Sequence, residues 1–154
     1  MKRKQKKILI RQLEKKIAEF SRAKEVLPPG SGWVHAIRTA IGMSLSQFGK
    51  RLNMTAQGAR GIEKREADKS ITLASLNEAA VAMDMQLVYG FIPKEETLEK
   101  MIEKRASEVA QKIVLRTAHT MHLEDQAIPT DDLRIAVEDK TNDIINEMPK
   151  YLWD

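Results

Sequence analysis

A chain of 154 residues has room for one ordinary domain, or for a small domain with extensions. Its apolar content of 42% suffices for a core and its 5% aromatics point to aliphatic helix packing, while the absence of cysteine excludes disulfides, thiol catalysis and cysteine-ligated zinc. Charged residues make up 31%, no run approaches the ~18 uninterrupted apolar residues of a membrane helix, and the basic start lacks a secretory apolar core, so the expected compartment is the cytoplasm.

Charge is unevenly placed. Residues 1–29 hold ten Lys/Arg against three acids (+7), residues 30–93 seven against five (+2), and residues 94–154 nine against fourteen (−5). A basic front and an acidic rear suit contact with a polyanion at one end, or else two solvated helix faces of opposite sign.

The first segment, 1–29, runs from Arg3 to Val26 without Gly or Pro. Ile8, Leu9, Leu13, Ile17 and Phe20 recur at helical spacing, which predicts an amphipathic helix with a basic opposite face. Lys2, Arg3, Lys4, Lys6 and Lys7 would serve as a phosphate-binding arm or as a solvated helix start. Pro28-Pro29-Gly30-Ser31-Gly32 then forms the clearest linker.

Residues 30–84 read as several short helices broken by Gly42, Asn53 and the Asp68–Ser70 turn. Ser44 stands before a short helix, Leu45 to Leu52, with Phe48 and Leu52 four apart. Asn53 follows where a left-handed residue is wanted, and Thr55 is placed to cap a second helix from Ala56 to about Arg65. Short helix, tight turn, second helix with little apolar surface is the helix-turn-helix pattern, and Gly49 falls where the two helices would cross.

In residues 85–93 the period changes. Met85, Leu87, Tyr89 and Phe91 alternate with Gln86, Val88, Gly90 and Ile92, which is strand spacing, and Pro93 closes the run. The rest of the chain reads as helix, so this strand would lack a partner within its own molecule. It is expected to pair with a second copy about a two-fold axis, making a homodimer through Met85, Leu87, Val88, Tyr89 and Phe91; the alternative is an apolar helical extension packed in the monomer. Residues 94–154 return to helix: one long element from Glu95 to about Met121, then a last helix capped by Thr130 with Asp131 and Asp132 in its first turn.

Ile37-Arg38-Thr39-Ala40-Ile41-Gly42-Met43-Ser44, Phe48-Gly49-x-x-Leu52-Asn53-Met54-Thr55, Ile62-Glu63 and Thr72-Leu73-x-x-Leu76-x-x-Ala79-x-x-Ala82-Met83 together resemble the repressor-type (Cro/C1, also called XRE) helix-turn-helix family. The resemblance covers residues 33 to about 84. It implies a mainly α fold: a five-helix repressor-type domain with flanking helices, here with the one short strand added. It also implies a structural pair between Arg38 and Glu63, and a recognition helix whose N-terminal part enters the major groove of double-stranded DNA. On that basis Ala56, Gln57, Arg60 and Gly61 face bases, with Gln57 suited to adenine and Arg60 to guanine. Ser44, Gln47 and Thr55 join the DNA-facing set, and Lys64, Arg65 and Lys69 suit phosphates. One departure is Leu45, where many relatives place a DNA-touching Gln. Gly58 and Gly61 also weaken the recognition helix, by ~1 kcal/mol each relative to Ala.

The whole chain is similar to the mobile mystery protein A family, which implies repression of its own operon from a palindromic operator and an antitoxin-like pairing with a Fic-domain partner. Fic toxins are often blocked by a helix carrying Ser/Thr-x-x-x-Glu-Gly/Asn. Ser21…Glu25-Val26 and Thr120…Glu124-Asp125 approach this pattern, and both miss its last residue.

No catalytic role is expected. There is no Gly-x-Ser-x-Gly elbow and no phosphate-cradling Gly loop. His119 and His122 sit three apart near Glu124 and Asp125, but a metal needs three or four converging ligands, so neither metal nor cofactor is expected. The reading is thus sequence-specific DNA binding. Its competitors are a protein-interaction module that neutralises a toxin, with DNA binding secondary, and a nucleoid or RNA binder without sequence preference.

Overall fold

The computed structural model describes residues 3–124 and 128–154; Lys2, the Arg3 side chain and Asp125, invoked above, lie outside the described residues. The protein is mainly helical: α1 Arg3–Phe20, α2 Trp33–Ala40, α3 Leu45–Arg51, α4 Ala56–Ala67, α5 Leu73–Ala82, α6 Leu98–Leu123 and α7 Thr130–Glu147, with 3-10 turns at Ser21–Glu25 and Lys150–Trp153. The chain forms two compact units, residues 22–90 and residues 1–21 with 91–154.

In the first unit the main chain itself explains where the helices stop. Gly42, Asn53, Lys69 and Asp84 all have positive φ (71°, 55°, 59° and 58°). After each, an amide reaches back five residues to a carbonyl: Met43 to Arg38, Met54 to Gly49, Ser70 to Arg65 and Met85 to Ala80, at 2.8–2.9 Å. This is the Schellman stop, closing α2, α3, α4 and α5 in turn. The residue just before the helix caps three of the four with its own side chain. Ser44, Thr55 and Thr72 accept the amides of Gln47, Gly58 and Ser75, all at 3.1 Å.

The core of this unit gathers Val34, Phe48, Ala59, Ile62, Ala79, Ala82 and Met83. Phe48, fully buried, is its one aromatic member, which agrees with the low aromatic content. Four α-helices, not the expected five, lie between residues 30 and 84. The strand expected over 85–92 is likewise not formed, and no strand occurs among the described residues. The physical reason lies at its first residue: the Met85 amide is already spent on closing α5, and among the described residues no other segment supplies a ladder.

The second unit is built on the α6–α7 hairpin. Ile102, Ala106, Val109 and Ala110 of α6 bury against Ile144 and against Leu152 of the closing 3-10 turn. Ala106 and Ala110 are fully buried, and their small side chains let the partner helix approach closely. Arg105 Nε donates to the Leu152 carbonyl at 2.7 Å, tying the turn to α6. α6 begins at Leu98 rather than at Glu95, capped by Thr97, which accepts the Lys100 amide at 3.1 Å; Glu95 and Glu96 lie before it and pair with Lys104 and Lys100. Thr130 is the first residue of α7 and not its cap, while Asp131 and Asp132 do lie in the first turn.

α1 belongs to this unit and packs on α6, a contact between residues far apart in sequence. Its buried side is rotated from the stripe expected. Ile10 reaches the core, and Lys6, Glu14, Ile17 and Phe20 are half-buried, whereas Ile8, Leu9 and Leu13 stay exposed. Polar contacts set that rotation. Glu14 Oε1 accepts the Glu99 amide at the start of α6 (3.1 Å), and Lys6 Nζ donates to the Met148 carbonyl at the end of α7 (3.1 Å). Lys6 is thereby engaged inside the unit rather than free in an arm. Among the described residues, no helix is long and apolar enough to cross a membrane.

Candidate nucleic-acid interface

The chain from Ser44 to Ala67 folds back tightly because Gly49 has no side chain. A Cβ there would stand 2.7 Å from the Met54 carbonyl oxygen and 2.8 Å from that of Thr55, both backbone atoms at the turn into α4. Ser44 and Gln47 form a reciprocal cap: the Ser44 hydroxyl accepts the Gln47 amide (3.1 Å), and Gln47 Oε1 accepts the Ser44 amide (2.8 Å). Thr55 spends an acceptor on Gly58 in the same way. These three side chains are exposed, but each has a structural duty at a helix start.

α4 buries Ala59, Ile62 and Glu63 and turns Ala56, Gln57, Arg60 and Lys64 outward. Gly61 is half-buried on that outer side; a Cβ on it would meet the Arg65 guanidinium at 3.2 Å and nothing else within 4 Å. Arg65 and Lys69 are exposed at the end of α4 and in the turn after it. None of Arg60, Lys64, Arg65 and Lys69 makes an ion pair among the described residues, so four positive charges stand on and just beyond one helix.

Behind that surface, Arg38 and Glu63 are 9% and 7% exposed. Arg38 Nε donates to Glu63 Oε1, Nη2 approaches Oε2 at 3.5 Å, and Nη1 donates to the Met43 carbonyl at 2.6 Å. His35 Nδ1 lies 2.9 Å from Glu63 Oε2. Burial pushes the Glu63 carboxyl upward, but the hydrogen bonds and charges of Arg38 and His35 together outweigh it and hold the group below its ordinary value. The network joins α2, α4 and the carbonyl of Met43, so it sets the attitude of α4.

Sequence reasoning missed Glu66. Its carboxylate accepts the amides of Trp33 (2.9 Å) and Val34 (2.8 Å), capping α2 from α4, which no local motif announces. Met85, Val88, Tyr89 and Phe91 are exposed and Leu87 is half-buried, and the five do not share a regular element. Ser21, in the partial Fic-inhibitor match, donates its hydroxyl to the Ala18 carbonyl at 2.7 Å within a 3-10 turn. His119 and His122 are exposed on α6, and no group of three or more His, Asp or Glu among the described residues is placed to hold a metal ion. No family model, no curated protein and no solved structure matches this chain.

Proposed function

We propose that residues 30–84 are a helix-turn-helix domain of the repressor (Cro/C1, XRE) type that binds double-stranded DNA by sequence and performs no catalysis. The observation that carries this reading is the outer side of α4. Gln57, Arg60 and Lys64 are exposed along a helix held by a side-chain-free crossing at Gly49 and a buried Arg38–Glu63 pair behind it. A convex helix with a carboxamide and unpaired cations suits a major groove, where Gln reads adenine and Arg reads guanine. Lys64, Arg65 and Lys69 supply phosphate contacts that position without specifying.

Exposed Met85, Val88 and Tyr89 support a homodimer that reads a palindrome, with the 85–92 run gaining its ladder from a second copy. The resemblance to mobile mystery protein A further supports a role as repressor of its own operon and antitoxin-like partner of a Fic-domain protein. The test is selection of bound duplexes from a random pool at rising salt, followed by footprinting. An inverted repeat is expected, bound at least about five-fold less tightly by Gln57→Ala and by Arg60→Ala, since each base contact contributes ~1–3 kcal/mol. A bound pool with no preferred sequence at any salt would overturn the reading.

A further inference from the structure

Beside the base-facing side of α4 lies a cleft of about 380 Å³ between α4 and α2. Ser31, His35, Arg60 and Lys64 line it, and the buried Arg38–Glu63 pair lies behind them. Its one carboxylate, Glu63, is already matched by Arg38, so Arg60 and Lys64 leave the cleft positive. A volume about ten-fold that of one water, ~30 Å³, admits a phosphate group with part of its hydration.

The orientation of His35 adds a chemical constraint. An ionised carboxylate only accepts hydrogen bonds, so the ring nitrogen facing Glu63, Nδ1, carries a proton. In the neutral ring Nε2 is then a bare acceptor and repels a phosphate oxygen. In the imidazolium, Nε2–H donates to one. The His35 side chain is 44% exposed, which leaves the Nε2 edge accessible.

Resting on the DNA-binding reading, we propose that this cleft is a phosphate site, in which Lys64 and the His35 imidazolium hold one backbone phosphate of duplex DNA. Arg60 at the rim supplies field, and the Ser31 hydroxyl is a further donor. Only the ring with both nitrogens protonated offers an Nε2–H to the phosphate, so duplex binding should be tighter at lower pH. The charged groups around His35 are Glu63, Arg60, Lys64 and Glu66 from α4 and Arg38 from α2 itself. Glu66 is occupied by the amides of Trp33 and Val34, and α3 contributes only Leu45 to the cleft.

The test measures binding of a random-sequence duplex pool by fluorescence anisotropy at pH 6 and pH 8. Wild type is compared with His35→Asn, whose amide keeps a donor near Nδ1 but does not titrate, and with Lys64→Gln. The wild-type gain at pH 6 should exceed that of His35→Asn by about three- to ten-fold. Lys64→Gln should lower the slope of log K against log salt by ~0.9. His119 and His122 are present in every variant and cancel. In parallel, the histidine ring nitrogens of the wild-type protein are followed by NMR as inorganic phosphate is added; shifts at His35 ahead of His119 and His122 are expected. Equal pH dependence in wild type and His35→Asn overturns the proposal while leaving DNA binding intact. Competition by inorganic phosphate as effective as by duplex overturns the assignment to DNA. Failure of the wild type to bind any duplex overturns the DNA reading, and the His35 shifts then decide whether the cleft takes phosphate at all.

Discussion

Gly32 and Glu66 depend on each other across 34 residues of sequence. Gly32 precedes α2 with φ +85°, and a Cβ built on it would stand 2.7 Å from Glu66 Oε2, the oxygen that accepts the Val34 amide. Gly32→Ala therefore combines left-handed strain with displacement of a carboxylate cap. A loss of about 2–3 kcal/mol is expected. Glu66→Ala removes only the cap and should cost about 1–2 kcal/mol. In the Glu66→Ala background the Gly32→Ala loss should shrink, because the clash is gone. Urea unfolding of both variants and their combination measures this, and simple additivity would contradict the clash.

The buried pair makes a second prediction with a pH signature. Removing one partner, by Arg38→Met or Glu63→Leu, leaves a buried charge and should cost about 3–5 kcal/mol. The double variant should lose less than the sum. Glu63 is held below its ordinary value of 4.5, so the stability it contributes is complete above that value and is lost as pH falls through the lower folded value. The melting temperature should then fall more steeply below pH 4.5 in wild type than in Glu63→Gln, which has no proton to gain there. Parallel curves would show that the carboxylate is not stabilised by its partners.

Two glycines near the α3–α4 turn should respond in opposite directions. At Gly49 a Cβ meets two backbone oxygens at 2.7 and 2.8 Å, neither of which can move without separating the helices. Gly49→Ala should destabilise by about 2–3 kcal/mol. At Gly61 the only close atom is the end of the flexible Arg65 side chain, at 3.2 Å, and the residue sits inside a helix. Gly61→Ala should stabilise by up to ~1 kcal/mol. Denaturant midpoints of the two variants decide it; a shift of the same sign in both would refute the geometry.

What could be read from the sequence about this protein is what depends on main chain and neighbours within six residues. Asn53 at a helix end, Ser44 and Thr55 at helix starts and Gly42 in a turn follow from local hydrogen bonds and from which residues tolerate positive φ. Gly49 was legible for the same reason, as a short helix, a turn and a second helix leave no room between them. The 85–92 run forms no strand within the single chain because alternation describes a side-chain pattern, whereas a strand exists only once another segment accepts its amides. The tertiary structure alone decided contacts spanning long separations: Glu66 on the amide of Val34, 32 residues away, Glu14 on Glu99, 85 away, and Lys6 on Met148, 142 away. Each is a charged side chain meeting an unsatisfied main-chain group at a helix end. Every helix offers such ends and every charged residue is a candidate for them, so only the packing of the elements selects which one arrives.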